Sequence, residues 1–193
     1  MKIIILLIMC VALSATTFAQ SSGDRNLKND ELTQKAVQVF TNHFLDRKKA
    51  ADHVEELRAL TRNTPYDFRS VIIASARMLQ SEMSLSEARQ VLIGAMEAAA
   101  ALPQSEKDLV LEKITEILCQ MYANDRSTYP YLKQLHILGL PVFEIIASAV
   151  GRKMDYVFEM SENNKFSPRP LTVTLGQQFA IRYKGSAARL AAK

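Results

Sequence analysis

Three histidines, His43, His53 and His136, and two cysteines, Cys10 and Cys119, are the residues of this chain best suited to chemistry. No two histidines stand four positions apart, the spacing that sets a pair of imidazoles on one helix face around a metal, so no metal site is predicted. His43 shares the helical spacing of Ala36, Val39, Phe40 and Phe44, which marks it as a core or boundary histidine rather than a ligand or base. Asp52 and His53 read as a surface pair. Cys10 falls in an apolar N-terminal run, so Cys119 has no internal disulfide partner. It follows Ile117 and Leu118 on an apolar helix face and reads as a small buried hydrophobe. Glu55 and Glu56 beside Arg58, and Glu112 and Glu116 around Lys113, match solvated helix faces. Gly94, Gly139, Gly151, Gly176 and Gly185 are isolated, which excludes a phosphate-cradling loop, and no nucleophile elbow occurs. These residues predict neither catalysis nor a cofactor.

The elements that would position such residues follow from composition. Of 193 residues, 48% are apolar and 23% charged, with six Gly and six Pro, the balance of a globular chain. Trp is absent, and Ala, Leu, Glu, Lys, Arg and Met dominate, which predicts an all-α fold, a compact multi-helix bundle of about seven to nine short helices. The net charge of +4 is spread among acidic residues without a basic block, so no nucleic-acid partner is predicted. Met1 and Lys2, the apolar run Ile3 to Leu13 and the small residues around Phe18 in Thr17-Phe18-Ala19 have the build of a signal peptide, residues 1–19, cleaved before Gln20. The run is too short for a permanent membrane span. Export to a periplasm or the exterior is the expectation; the other reading keeps these residues as an N-terminal helix. Residues 20–29 read as a flexible lead-in and 30–193 as the helical domain.

Helical periodicity then recurs to the end of the chain. Ala50, Val54, Leu57 and Thr61 mark a helix from about Lys48 to Arg62, stopped at Asn63-Thr64-Pro65, where Thr64 is suited to cap a helix begun by Pro65. Phe68, Val71, Ile72 and Leu79 face one way in the next. Ser84 to Glu87 is a capping box opening an Ala-rich helix whose Ala88, Leu92, Ala95 and Ala99 permit close helix approach. Ser105 with Asp108 is a weaker cap signature before the stripe Val110, Ile114, Ile117, Leu118 and Met121. Tyr129 to Leu138 is a short helix closed by Gly139, after which Pro141 fits the first turn of a helix carrying Val142, Ile145, Ile146 and Ala149, ended by Gly151. Met154 to Asn163 forms another. Ser167 to Pro170 reads as a loop. Beyond it, Leu171, Val173 and Leu175 alternate like a strand, whereas Phe179, Tyr183, Ala187 and Leu190 follow helical spacing, and helix is the preferred reading.

Two phrases stand out: Thr64-Pro65-Tyr66, and Gln134-Leu135 running into Gly139-Leu140-Pro141-Val142-Phe143. With Ala74 to Leu79 between them and the Ala-rich and apolar helices in order, roughly Leu45 to Lys193 resembles the N-terminal domain of phage tail tape measure proteins. The resemblance implies a non-enzymatic structural protein whose partners are tail proteins, assembly chaperones or further copies of itself. It implies a contact or turn role for Thr64, Pro65, Tyr66, Gln134, Leu135, Gly139, Pro141, Val142 and Phe143. Tape measure proteins are much longer and are not usually exported through a leader, so length measurement is not carried over. An exported all-α adaptor or inhibitor that binds another protein is the alternative.

Overall fold

The computed structural model describes residues 25–124 and 127–192; the leader expected over 1–19 lies outside them. The chain divides into two units, Met1–Gln34 and Lys35–Lys193. Of the first, the described part is the opening of a helix that starts at Arg25, inside the segment expected as lead-in. The second unit holds the helical bundle.

Ten helices and no strand occur among the described residues: α1 (Arg25–Phe44), α2 (Arg47–Thr61), α3 (Phe68–Gln80), α4 (Leu85–Ala101), α5 (Lys107–Ala123), α6 (Tyr129–Ile137), α7 (Val142–Val150), α8 (Met154–Glu162), α9 (Pro168–Arg182) and α10 (Ser186–Ala191). The all-α class expected from composition is the observed one. The core is built around α4, which packs against α3, α5, α9 and α10. Ala88, Val91, Leu92, Gly94, Ala95, Met96 and Ala98 to Ala100 are all buried, so neighbours surround α4 on more than one side, which explains its alanine content. The α5 stripe expected from the spacing, Val110, Ile114, Ile117, Leu118 and Met121, is buried throughout.

The closest approach in the bundle joins α4 to α9. A Cβ built on Gly94 would lie 2.0 Å from the Gly176 carbonyl oxygen, and one built on Gly176 would lie 2.7 Å from Val91 Cα. Backbone meets backbone there, and only glycine fits. The alternation of Leu171, Val173 and Leu175 is incidental: Leu171, Thr172, Leu175, Gly176 and Phe179 are the buried set, with helical spacing. Gly185, at φ +77°, separates α9 from α10, so Phe179 and Leu190 belong to different helices.

Caps explain most boundaries. The Ser84 capping box forms as expected: Ser84 Oγ accepts from Glu87 N, and Ser84 N donates to Glu87 Oε2 at 2.8 Å. The Ser84 hydroxyl, which also donates to Glu87 Oε2 at 2.7 Å, and the Ser84 amide hold the Glu87 carboxyl below the usual range. Gly139, at φ +101°, closes α6 in a Schellman motif, with Leu140 N bonded to Leu135 O and Gly139 N to His136 O. Pro141 is the N-cap of α7 rather than a residue of its first turn. Three further expectations are corrected. Ser105 makes no side-chain cap; α5 starts after Glu106, and Asp108 Oδ1 accepts from Asp67 N instead. Ser167 to Pro170 is not a loop, because Pro168 and Pro170 fall in the first turn of α9, where amides have no helical acceptor and proline loses nothing. Ala149, counted on the buried face of α7, is exposed.

Two substitutions test these contacts. Gly94→Ala would gain about 1 kcal/mol of helix propensity, but forcing α4 and α9 apart outweighs it, so a net loss of about 2 kcal/mol is expected in urea unfolding. Gly139→Val should cost about 1 kcal/mol or more, because valine at φ +101° is strained and its Cβ would sit 3.3 Å from Leu102 Cδ2.

Candidate functional site

The C-terminal end of α4 leaves carbonyls without helical partners, and the sequence answers with a lysine from the next helix. Lys107 Nζ reaches the carbonyls of Ala99 and Ala100 at 3.5 and 3.4 Å and that of Leu102 more closely. Cation and helix C-terminus are complementary. Burial pulls the ammonium below the usual lysine range. The segment between α4 and α5 is thereby folded back over the end of the bundle, with Leu102 buried beneath it.

Around this turn runs an open groove of about 880 Å³, lined by Pro65, Leu102, Pro103, Lys107, Leu109 and Leu190 among others. Of the two sequence phrases only the first lines it, through Pro65; the second touches it through the lining residues Leu102 and Gln104. Pro65 forms one wall, and Tyr66 drops into the core to donate its hydroxyl to Met96 O of α4 at 2.5 Å. Burial with Glu97 and Asp108 nearby raises that phenol far above its ordinary range, so it stays a donor. On the other side Gly139 packs under Leu102, and Gln104 Nε2 donates to Leu138 O at 3.4 Å. The floor of the groove is thus pinned to α4, to the α2–α3 connection and to the end of α6.

The remaining residues of the two phrases divide by depth. Thr64 caps nothing downstream: its hydroxyl and amide both donate to Thr61 O, closing α2, and Asp67 caps α3 through Arg69 N. The chain bends through Thr64 to Tyr66, which sends the Tyr66 side chain to α4, and is extended only at Asp67, the N-cap of α3. Gln134 lines a smaller groove of about 350 Å³ between α5 and α6, beside Ile117 and the exposed Ile137. Leu135, Val142 and Phe143 are core residues, Phe143 stacking on Phe158 at 4.2 Å between centroids.

The histidines are the clearest correction. His43 is exposed, whereas His53, expected at the surface with Asp52, is buried. Its Nε2 lies 2.9 Å from Ser75 Oγ, its Nδ1 lies 4.0 Å from Glu56 Oε2, and the rings of Phe40 and Phe44 meet it edge-to-face at 4.7 and 5.6 Å. The missed signal was the spacing Ala50, His53, Val54, Leu57, which sets His53 on the buried face of α2. Serine, histidine and carboxylate stand in the order of a nucleophilic triad. Ser75 is only 1% exposed and His53 5%, so the pair is closed to substrate and serves packing. Cys119 is buried as expected, and burial pushes its thiol up to about 11. Among the described residues no group of three His, Cys, Asp or Glu side chains is placed to hold a metal, and no helix is long and apolar enough to cross a membrane.

No protein-family model, curated protein or solved structure matches the chain. Its groove stands on its own geometry. Lys107→Met should lower stability by about 1 kcal/mol, because three helix-end carbonyls lose a charged donor at a half-exposed site. Thermal unfolding of the variant beside the parent reads this directly.

Proposed function

We propose that this chain is a non-enzymatic helical module that binds another protein through the groove at the end of α4. The observation that carries the reading is the anchoring of the groove: Pro65 and Leu102 line it, while Tyr66, Lys107 and Gln104 bond the segments around it to α4 and to the end of α6. Protein-binding sites are built in this way, with apolar side chains on a scaffold that does not reorganise. Here Pro65, Leu102, Leu109 and Leu190 supply the apolar surface, and Gln104, Glu106 and Asp108 supply a polar rim. The resemblance to tape measure domains makes the partner a tail or assembly protein, or a further copy of the chain. Closure of the Ser75–His53 pair supports a role without catalysis.

A second reading is favoured by residues 1–19, whose charge, apolar run and small residues suit export. It makes the chain an exported adaptor or inhibitor. Intact mass and fractionation of protein expressed with its own N-terminus separate the two. Loss of residues 1–19 with export supports the adaptor; retention of Met1 in a cytoplasmic or particle-bound form supports the tail role.

The groove itself is tested with Leu109→Asp, a change at an exposed position that leaves the core intact. Self-association by analytical ultracentrifugation, or capture of purified tail-tube and assembly proteins, should weaken at least about tenfold, or 1.4 kcal/mol, without a fall in melting temperature. Unchanged association would remove the groove from the binding surface.

A further inference from the structure

The contacts of His53 tie three helices together. It projects from α2, bonds Ser75 of α3 and lies against Phe40 and Phe44 of α1. From Lys35 onward α1 buries Ala36 and Phe40 in the bundle, and the Phe40 and Phe44 rings lie against His53. In the neutral imidazole Nε2 shares its hydrogen bond with Ser75, while Nδ1 has no hydrogen-bond partner and is tolerated as a bare lone pair. A second proton would place an N–H at Nδ1 in a site without an acceptor at bonding distance.

We propose that His53 is a pH-sensitive latch: while neutral it holds the end of α1 on α2 and α3, and proton uptake releases α1.

The charged groups facing His53 set the balance. From its own helix comes Glu56, whose Oε2 is 4.0 Å from Nδ1 and whose Oε1 is already paired with Arg89 of α4 at 2.9 Å. From α1 comes His43, a second basic group, while α3 presents the uncharged Ser75. Burial disfavours the imidazolium most, His43 adds to that, and Glu56 opposes both, leaving the group below its ordinary value of 6.5. The unfolded or detached state therefore takes the proton near 6.5 and the latched state only at lower pH, so closure is fully stable above 6.5 and weakens as pH falls beneath it.

Amide hydrogen exchange of the full chain, corrected for intrinsic rates, tests this between about pH 7.5 and 5. Protection of α1 amides from Ala36 to Phe44 should fall by up to roughly tenfold per pH unit below 6.5, the limit for one proton, while α5 amides keep theirs. His53→Gln, neutral and still able to bond Ser75, should abolish the dependence, and His43→Gln should retain it. Should His53→Gln fail to fold, Glu56→Gln decides: removing the opposing carboxylate should deepen the loss at pH 5. The latch is overturned by α1 protection that does not vary with pH, by α1 and α5 losing protection together, by a dependence that survives His53→Gln or vanishes in His43→Gln, or by Glu56→Gln leaving the loss unchanged.

Discussion

The contact between the backbones of α4 and α9 at Gly94 and Gly176 is the constraint on which the rest of the bundle depends. Two helices that meet without side chains between them leave room only for small residues in the next turns. Ala95, Ala98 and Ala99 are buried for that reason. Alanine buries little apolar surface, so stability must come from the larger side chains of the surrounding helices, among them Leu111, Ile114, Leu118 and Phe179, each contributing about 1.5–3 kcal/mol when fully buried. A helix enclosed in this way cannot fray into solvent at its end, and its last carbonyls need partners. Lys107 supplies them, which fixes the turn between α4 and α5 and with it the shape of the groove.

Much of this arrangement was legible in the sequence because it depends on local rules. Helix order, the Ser84 capping box, the Gly139 and Gly151 stops and the buried stripe of α5 each need only a few neighbouring residues. What escaped depends on partners distant in sequence. Thr64 has the composition of a cap, but Tyr66 bonds Met96, 30 residues away, and α3 starts only after Asp67. Asp108 has the place of a capping residue, yet the amide of Asp67 claims it. Gly94 and Gly176 are each unremarkable helical glycines, and only their pairing explains them. His53 is the intermediate case: the period of α2 placed it on the buried face, but its charged neighbour Asp52 suggested a surface pair.

The resemblance to tape measure domains is carried by phrases that the fold uses for different ends. Tyr66, Leu135, Gly139, Val142 and Phe143 work inside the bundle or at its turns, where packing and backbone conformation demand them. Pro65 and Gln134 line the two grooves. A motif whose members divide between core and surface constrains fold and contact together, because the core members fix where the surface members stand. That coupling is why a binding role is the more economical reading of these phrases than a reaction.

The groove and the attachment of α1 are built differently. At the groove every connecting segment is pinned by a backbone contact, a buried hydroxyl or a charged donor, so a partner would meet a surface already in its bound shape and lose little to ordering. At α1 the attachment includes buried Ala36 and Phe40 and the imidazole of His53, one of whose nitrogens has no hydrogen-bond partner. Local opening concentrates where side chains alone hold an element and buried polar groups are incompletely satisfied. On the proposed function, recognition falls to the groove and response to α1. The same enclosure that denies Ser75 and His53 a substrate makes the imidazole sensitive to charge, because a proton is expensive on a ring buried between two aromatic rings.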